Sequence, residues 1–118
     1  MLGVTIGTPF LLNADQAFDS FIGEPAFDRQ RLFDDQRYPN IVVTNKGTVI
    51  AVWGNSGVAI RRSEDGGKSW GNSIKISEKG YNGGGTIVDT TSGDILVFVE
   101  DRQPPAPLTV YRSKDDGK

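Results

Sequence analysis

The feature of this 118-residue chain that most constrains its fold is an internal repeat of short strands and turns. A turn that ends in Gly47 recurs at Gly93, 46 residues later, and a Ser-x-Asp-x-Gly turn at Ser63 recurs at Ser113, 50 residues later. The difference between the two spacings falls in the loop 101–107, which is longer than its counterpart 54–57. A repeat of about 50 residues with about four strands is typical of a propeller blade. The sequence therefore predicts an all-β fold, a β-propeller with about two four-stranded blades present here.

Apolar runs bounded by Gly, Asn, Asp and Ser place the predicted strands. In the first repeat they cover residues 38–43, 48–53, 58–62 and 73–77, and in the second repeat 85–89, 94–100 and 108–112. The predicted organisation is an amino-terminal segment 1–36 with one or two strands (4–6 and 10–12), a first blade 37–78 and a second blade 79–118. No segment shows a sustained helical period, so no long helix is expected.

Composition excludes several classes of function. The 13 basic and 15 acidic residues leave a net charge of −2 without a basic patch, which argues against a nucleic-acid partner. The chain has no cysteine and no histidine, so disulfides, thiolate chemistry and histidine acid–base catalysis are excluded within it, and no metal or cofactor is expected. No apolar run is long enough for a membrane span. The cellular location stays open: the chain has no clear signal peptide, its lack of cysteine says little about the compartment, and a secreted or periplasmic location of the full-length protein is one alternative.

The two Ser-Asp turns, the first at 63–70 and the second at 113–118, have a physical logic. In the first turn, Asp65 can accept backbone N–H bonds, Ser63 can add another bond, and Gly67 can adopt a backbone conformation closed to other residues. Trp70 is expected to bury its ring and anchor the turn. The second turn repeats the pattern with Ser113, Asp115 and Gly117. We interpret these residues as structural.

These motifs resemble those of the sialidase superfamily, whose six-bladed propellers carry Asp boxes. The Ser-Asp turn Arg62-Ser63-Glu64-Asp65-Gly66-Gly67-Lys68-Ser69-Trp70 looks like an Asp box, and Arg37-Tyr38-Pro39-Asn40-Ile41-Val42 looks like the family's Arg-Ile-Pro strand. The likeness covers residues 31–118. It implies the amino-terminal part of a sialidase-like glycoside hydrolase that acts on terminal acidic sugars, with a carbohydrate as its partner.

The resemblance also suggests where the ligand binds. By resemblance, Arg37 belongs to the cluster that grips the sugar carboxylate, since a guanidinium offers paired donors in one plane and stays charged. If the first strand of each blade starts at the ligand face, the loops 54–57, 79–84 and 101–107 lie beside it. The candidate substrate-binding residues are Arg37, Trp53, Asn55, Glu100, Asp101 and Arg102.

No catalytic residue can be assigned within the chain. The family's second arginine and acid follow the second strand, where this chain has Gly54-Asn55-Ser56-Gly57 instead. The family's Tyr/Glu pair belongs to later blades. Two alternatives therefore stay open: a non-catalytic carbohydrate-binding propeller, and a related propeller lyase or glycosidase that acts on an acidic polysaccharide.

The second Ser-Asp turn stops at Lys118, before the counterparts of Ser69 and Trp70. Two blades cannot close a ring, so their side faces would be exposed. We expect the chain to be a fragment that by itself is inactive and associates. The alternative is a small module of which several copies assemble into one propeller.

Overall fold

The computed structural model describes Gly3 and residues 27–34 and 37–118. The strands predicted at 4–6 and 10–12, and most of the segment 1–36, lie outside the described residues. Within the described ranges the chain forms strands, turns and loops without a helix, so the predicted all-β class is confirmed. That part of the chain accordingly contains no helix long and apolar enough to cross a membrane.

The first sheet consists of four antiparallel strands in sequence order, β1 to β4. Their bounds are β1 Asn40–Val43, β2 Val49–Trp53, β3 Val58–Ser63 and β4 Ile74–Ser77. β1 begins two residues later than predicted because Tyr38 has a left-handed backbone (φ 57°) and Pro39 has no N–H to donate to the ladder. The other strands start or end within one residue of the prediction.

The second sheet has three antiparallel strands, β5 Thr86–Val88, β6 Ile95–Glu100 and β7 Leu108–Ser113, in the order β5-β6-β7. The first sheet thus has the four strands predicted for residues 37–78, and the second sheet has the three strands predicted at 85–89, 94–100 and 108–112. The cross-strand registers of the two sheets are equivalent. Val52 pairs with Ile60 in the first sheet, and Phe98 pairs with Val110 at the corresponding position of the second.

The two sheets pack face to face and share one core. Every second residue of β2, β3 and β6 points into it, as the period of a strand requires. The buried members, none more than 4% exposed, are Ile50, Val52, Val58, Ile60, Ile95, Val97 and Val99. β1 and β5 lie side by side, so the first strand of one sheet adjoins the first strand of the other.

The connections between strands gather at two ends of this structure. At one end, here called the loop end, the amide of Gly57 donates to Gly80 O at 3.1 Å and the amide of Asn82 to Gly54 O at 3.1 Å. At the opposite end, the turn end, the side chain of Asn45 donates to Thr90 O at 3.0 Å. The two Ser-Asp turns lie at the turn end, because they follow β3 and β7.

Candidate functional site

The first Ser-Asp turn is held by its own side chains. Ser63 Oγ accepts from the amide of Gly67 at 2.8 Å and donates to Asp65 Oδ1 at 2.7 Å. Asp65 Oδ1 in turn accepts from the amide of Ser69 at 2.8 Å, and the Ser69 hydroxyl donates to Asp65 Oδ2. Gly67 has φ +91°, a conformation that side chains disfavour. Hydrogen bonds to the charged carboxylate, led by that from the Ser69 side chain, hold the pKa of Asp65 well below its usual range.

Trp70 is less buried than the sequence analysis predicts. Its ring is half-buried and packs beside Gly67, and its Nε1–H donates to Gly67 O at 3.1 Å. The same carbonyl accepts a bond from the Gln30 side chain at 3.1 Å. The ring stays on its own turn because this hydrogen bond ties it there, so Trp70 fastens the turn and is not inserted between the two sheets.

The second Ser-Asp turn repeats this geometry and adds a contact between the sheets. Its Ser113 Oγ accepts from the amide of Gly117 at 2.8 Å and donates to Asp115 Oδ1 at 2.7 Å. Gly117 faces the shared core, where a Cβ atom on it would lie 3.1 Å from Ile50 Cδ1. The turn therefore lies against the first sheet, and only a residue without a side chain fits at Gly117 without displacing the core.

The neighbouring residue, Asp116, forms a buried ion pair with Arg62 of the first sheet. Arg62 Nη2 lies 3.1 Å from Asp116 Oδ2, and the two side chains are 14% and 8% exposed. Thr48 Oγ donates to the same carboxylate at 2.6 Å, while Arg62 Nε donates to the backbone carbonyl of Asp116 at 2.8 Å. Desolvation by itself would raise the pKa of Asp116, but hydrogen bonds from Thr48, Thr44 and Arg62 outweigh it and leave the pKa lowered. The turn end is thus a structural junction.

The loop end contains the best candidate for a ligand site. A cleft of about 250 Å³ opens there between the two sheets. Its lining combines two aromatic rings, one carboxylate and one carboxamide: Tyr38, Tyr81, Gly83, Glu100, Gln103 and Pro104. Aromatic faces with a few placed hydrogen-bonding groups are what a small polar ligand requires.

Tyr38 is held in this cleft in an uncommon backbone conformation. Its φ of 57° is rare for a bulky residue and costs about 1–2 kcal/mol. Three contacts position it: its ring meets that of Tyr81 edge-to-face at 5.9 Å, the Arg37 guanidinium carbon lies 5.2 Å from the ring centre, and the buried Asn82 side chain donates to its carbonyl at 3.1 Å. An unfavourable backbone held in place by its surroundings is typical of functional positions.

Glu100 presents its carboxylate to the same cleft from the end of β6. Its backbone exchanges two hydrogen bonds with Tyr81, at 2.9 and 3.0 Å, which fixes the two residues relative to each other. Gly83 lies against the Glu100 carboxylate so closely that a Cβ atom at Gly83 would collide with Oε2. A glycine at position 83 therefore leaves room for the carboxylate beside the cleft.

The remaining predicted site residues differ in their access to the cleft. Arg37 is exposed and adjoins Tyr38, and Arg102 is exposed in the loop 101–107. Asn55 is half-buried in the tight loop after β2. Asp101 accepts a bond of 3.4 Å from the Thr109 hydroxyl, and its amide donates to Pro107 O, so it is engaged within its own loop. Of the predicted residues, Glu100 lines the cleft and Arg37 borders it.

Trp53 is buried. Its side chain is 6% exposed, and the ring of Phe33 stacks on it. The sequence analysis names Trp53 as a candidate substrate-binding residue, but Phe33 from the preceding segment already occupies a face of its ring. Trp53 therefore packs in the interior at the end of β2, and its ring has no exposed face for a ligand in this structure.

The sequence analysis did not name as site residues five of the six residues that line the cleft: Tyr38, Tyr81, Gly83, Gln103 and Pro104. A signal existed for Tyr38, which stands between Arg37 and Pro39 in the motif that carries the resemblance. Tyr81 and Gln103 lie in the loops 79–84 and 101–107, which the sequence analysis places beside Arg37, but no sequence pattern singles out these two residues within the loops. Among the described residues, no group of three or more His, Cys, Asp or Glu side chains is placed to hold a metal ion.

We expect Tyr38→Asn to reduce ligand binding at the cleft while changing the free energy of unfolding by no more than about 1 kcal/mol. Asparagine tolerates a left-handed backbone, and the relief offsets the lost edge-to-face contact, which is worth about 0.5–1.5 kcal/mol. Urea unfolding of the variant and the wild type measures this balance. A loss well above 2 kcal/mol would instead make Tyr38 a packing residue.

No protein-family model matches this chain. The functional assignment therefore rests on its residues and their geometry.

Proposed function

We propose that this chain is part of a sialidase-type β-propeller and that its loop-end cleft binds an acidic sugar. The full-length protein would then be a sialidase-like glycoside hydrolase. The observation that carries the proposal is the convergence of Arg37, Tyr38, Tyr81 and Glu100 at one end of two packed sheets. Two face-to-face sheets that adjoin through their first strands are consistent with neighbouring blades. The Ser-Asp turns at the opposite end leave the loop end free for a ligand.

The charges at the cleft suit a ligand with one carboxylate and several hydroxyls. Among the described residues, Arg37 makes no ion pair, so its guanidinium can bind the sugar carboxylate with two parallel hydrogen bonds. The Glu100 carboxylate would repel an acid and accept hydrogen bonds from hydroxyls. The two charges therefore orient such a sugar, with its carboxylate toward Arg37 and its hydroxyls toward Glu100, while the tyrosine rings contact its apolar face.

The loop after β2 supports a second candidate, a non-catalytic carbohydrate-binding propeller. In this loop Gly54 and Gly57 approach each other so closely that a Cβ atom on Gly54 would collide with Gly57 O. A loop this short and tight differs from the longer loop after the second strand that, by the resemblance, would carry the catalytic acid. Binding of the sugar without hydrolysis is the outcome that favours this candidate.

Arg37→Ala is expected to weaken binding of a sialoside about 10- to 150-fold, because a hydrogen bond to a charged group contributes about 1.5–3 kcal/mol. Chemical-shift titration of the chain with a methyl sialoside measures the affinity. Arg37→Lys keeps the charge but loses the paired donors, so it should fall between the wild type and Arg37→Ala.

Arg31→Ala is the matched control, because Arg31 is an exposed arginine that pairs with Asp34 and does not line the cleft. Its affinity should equal that of the wild type. Equal affinity of the Arg37→Ala variant, or equal affinity of the wild type for a neutral sugar of the same size, would overturn the proposal.

A further inference from the structure

Asn82 is the buried polar residue that joins the two sides of the loop end. It lies in the loop 79–84 directly after Tyr81 and is 4% exposed, although it does not line the cleft itself. Its side-chain Nδ2 donates to Tyr38 O, and its backbone amide donates to Gly54 O, both at 3.1 Å. One residue that precedes the second sheet therefore binds both the segment before β1 and the loop after β2.

These bonds fix the backbone of Tyr38 on both of its sides. The peptide group after Tyr38 is bound by the Asn82 side chain directly. The amide of Gly54 donates to Arg37 O at 3.0 Å, so Asn82 reaches the peptide group before Tyr38 through Gly54. Because peptide groups are planar, the orientations of the two that flank a residue set its φ and ψ. Asn82 thus secures the left-handed backbone of Tyr38 (φ 57°), which a bulky residue does not adopt by preference.

The conformation of Tyr38 decides where the groups of the cleft point. Its ring meets the ring of Tyr81 edge-to-face at 5.9 Å, and the Arg37 guanidinium carbon lies 5.2 Å from the ring centre. A change of Tyr38 to the ordinary negative φ would reorient its side chain relative to Tyr81 and alter the path of the chain at Arg37. The arginine proposed to bind the carboxylate and the aromatic contact therefore both depend on the bonds that Asn82 donates.

The opposite end of the Asn82 carboxamide shows that packing alone does not explain this residue. Its Oδ1 is buried and accepts no hydrogen bond from the described part of the chain. A buried acceptor without a partner costs stability, whereas a leucine of similar size would avoid that cost. What the carboxamide provides and leucine cannot is the donor to Tyr38 O.

We propose that Asn82 is a positioning residue of the loop-end site: its two hydrogen bonds set the backbone of Tyr38 and, through it, the placement of the Arg37 guanidinium against the sugar carboxylate. This role rests on the proposed function, the binding of an acidic sugar at the cleft. Asn82 touches no sugar and acts through its neighbours. The affinity of the site is therefore controlled in part by a residue that lies outside the cleft.

Asn82→Asp keeps the size of the side chain but places a carboxylate against Tyr38 O, and this carboxylate cannot donate at neutral pH. In a chemical-shift titration we expect it to weaken binding of a methyl sialoside about tenfold or more, as the loss of one hydrogen bond to a charged group does. Asn82→Leu removes the donor without adding a charge, and it gives the same comparison if the buried carboxylate prevents folding.

Asn45→Asp is the matched control. Asn45 donates the same kind of bond from one sheet to a backbone carbonyl of the other, to Thr90 O at 3.0 Å, but at the turn end. Its loss should leave the affinity for the sialoside unchanged. Equal weakening by Asn45→Asp and Asn82→Asp would show a general effect of loosened sheets and would overturn the positioning role.

A double-mutant cycle shows whether Asn82 acts through Tyr38. Asparagine adopts a left-handed backbone more readily than tyrosine, so it depends less on support from Asn82. In the Tyr38→Asn background, Asn82→Asp should therefore weaken sialoside binding less than about threefold, well short of its effect in the wild type. Two effects that simply multiply would mean that Asn82 reaches the site by another route, and they would overturn the proposal.

The backbone of Tyr38 provides a readout that needs no sugar. A strong NOE between the amide proton and the Hα of one residue is characteristic of a positive φ. We expect it at Tyr38 in the wild type and in Asn45→Asp, and we expect its loss in Asn82→Asp. A folded variant at position 82 that keeps this NOE overturns the positioning role. If the NOE is lost as expected but the wild type binds no sialoside, the control of Tyr38 by Asn82 is supported and only the proposed function fails.

Discussion

Asp116→Ala is expected to lower the free energy of unfolding by about 3–5 kcal/mol, because it removes the buried partner of the largely buried Arg62 guanidinium and leaves only the exposed Glu64 beside it. The same change removes the acceptor of the Thr48 hydroxyl, 2.6 Å from the carboxylate. Since the pair joins the two sheets, the loss acts on the shared core and not on one turn alone. Urea unfolding followed by tryptophan fluorescence measures the difference.

The chain offers a matched control on the same arginine. Glu64 also lies 3.1 Å from Arg62 Nη2, but its side chain is 70% exposed. Solvent screens such a pair, so Glu64→Ala should cost less than about 1 kcal/mol. Equal losses in the two variants would show that burial of Asp116 does not set the strength of its pair with Arg62.

The Arg62–Asp116 pair also predicts a pH dependence. The pKa of Asp116 in the folded chain lies below the ordinary value of 3.8. The ionised carboxylate therefore contributes fully to the free energy of unfolding at any pH well above 3.8. The contribution is lost as the pH falls through the lowered pKa. We expect the stability difference between the wild type and Asp116→Ala to be constant from neutral pH to about pH 5 and to shrink below pH 4. A difference that grows on acidification would contradict the lowered pKa.

Trp53→Ala is expected to cost about 3–5 kcal/mol of stability, as removal of a buried aromatic side chain usually does. The indole is 6% exposed at the end of β2 and stacks with Phe33, so its loss leaves a cavity between the sheet and the preceding segment. Thermal and urea unfolding of the variant measure the loss, and Trp53→Phe should recover part of it.

Trp70→Ala provides the comparison, because Trp70 is half-buried on its own turn and its removal should cost clearly less. If Trp53→Ala instead kept its stability and lost only sialoside binding, Trp53 would be a substrate-binding residue, as the sequence analysis predicts. The two tryptophans thus separate a role in packing from a role in binding.

Much of the local structure could be predicted because it depends on neighbours in the sequence. The strands follow from apolar alternation, and the Ser63 and Ser113 turns follow from residues that bond to their own backbone. β1 is the instructive difference: the strand pattern extends to Tyr38, but a left-handed backbone and the following proline exclude Tyr38 from the ladder. The repeat also predicted that the strands of the first unit recur in the same order in the second. The equivalent registers of β2 with β3 and of β6 with β7 show this recurrence.

The candidate site was predictable only in part. Arg37 and Glu100 stand at strand ends, where topology alone places them at the loop end. Tyr81 and Gln103 come from the loops 79–84 and 101–107, which topology places beside Arg37, but which side chains of these loops line the cleft depends on how the loops fold onto each other. No spacing within the sequence reports such a contact.

The sequence by itself determined the strands, the two Ser-Asp turns and which residues alternate toward each face of a sheet, because all of these depend on contacts within a few residues. Only the tertiary structure decided what covers each face. It buried Trp53 under Phe33, left Trp70 half-open, and joined Asp116 to Arg62, 54 residues away. Burial and ion pairing depend on distant parts of the chain, and the same aspartate that is exposed in an isolated turn becomes buried when two sheets meet.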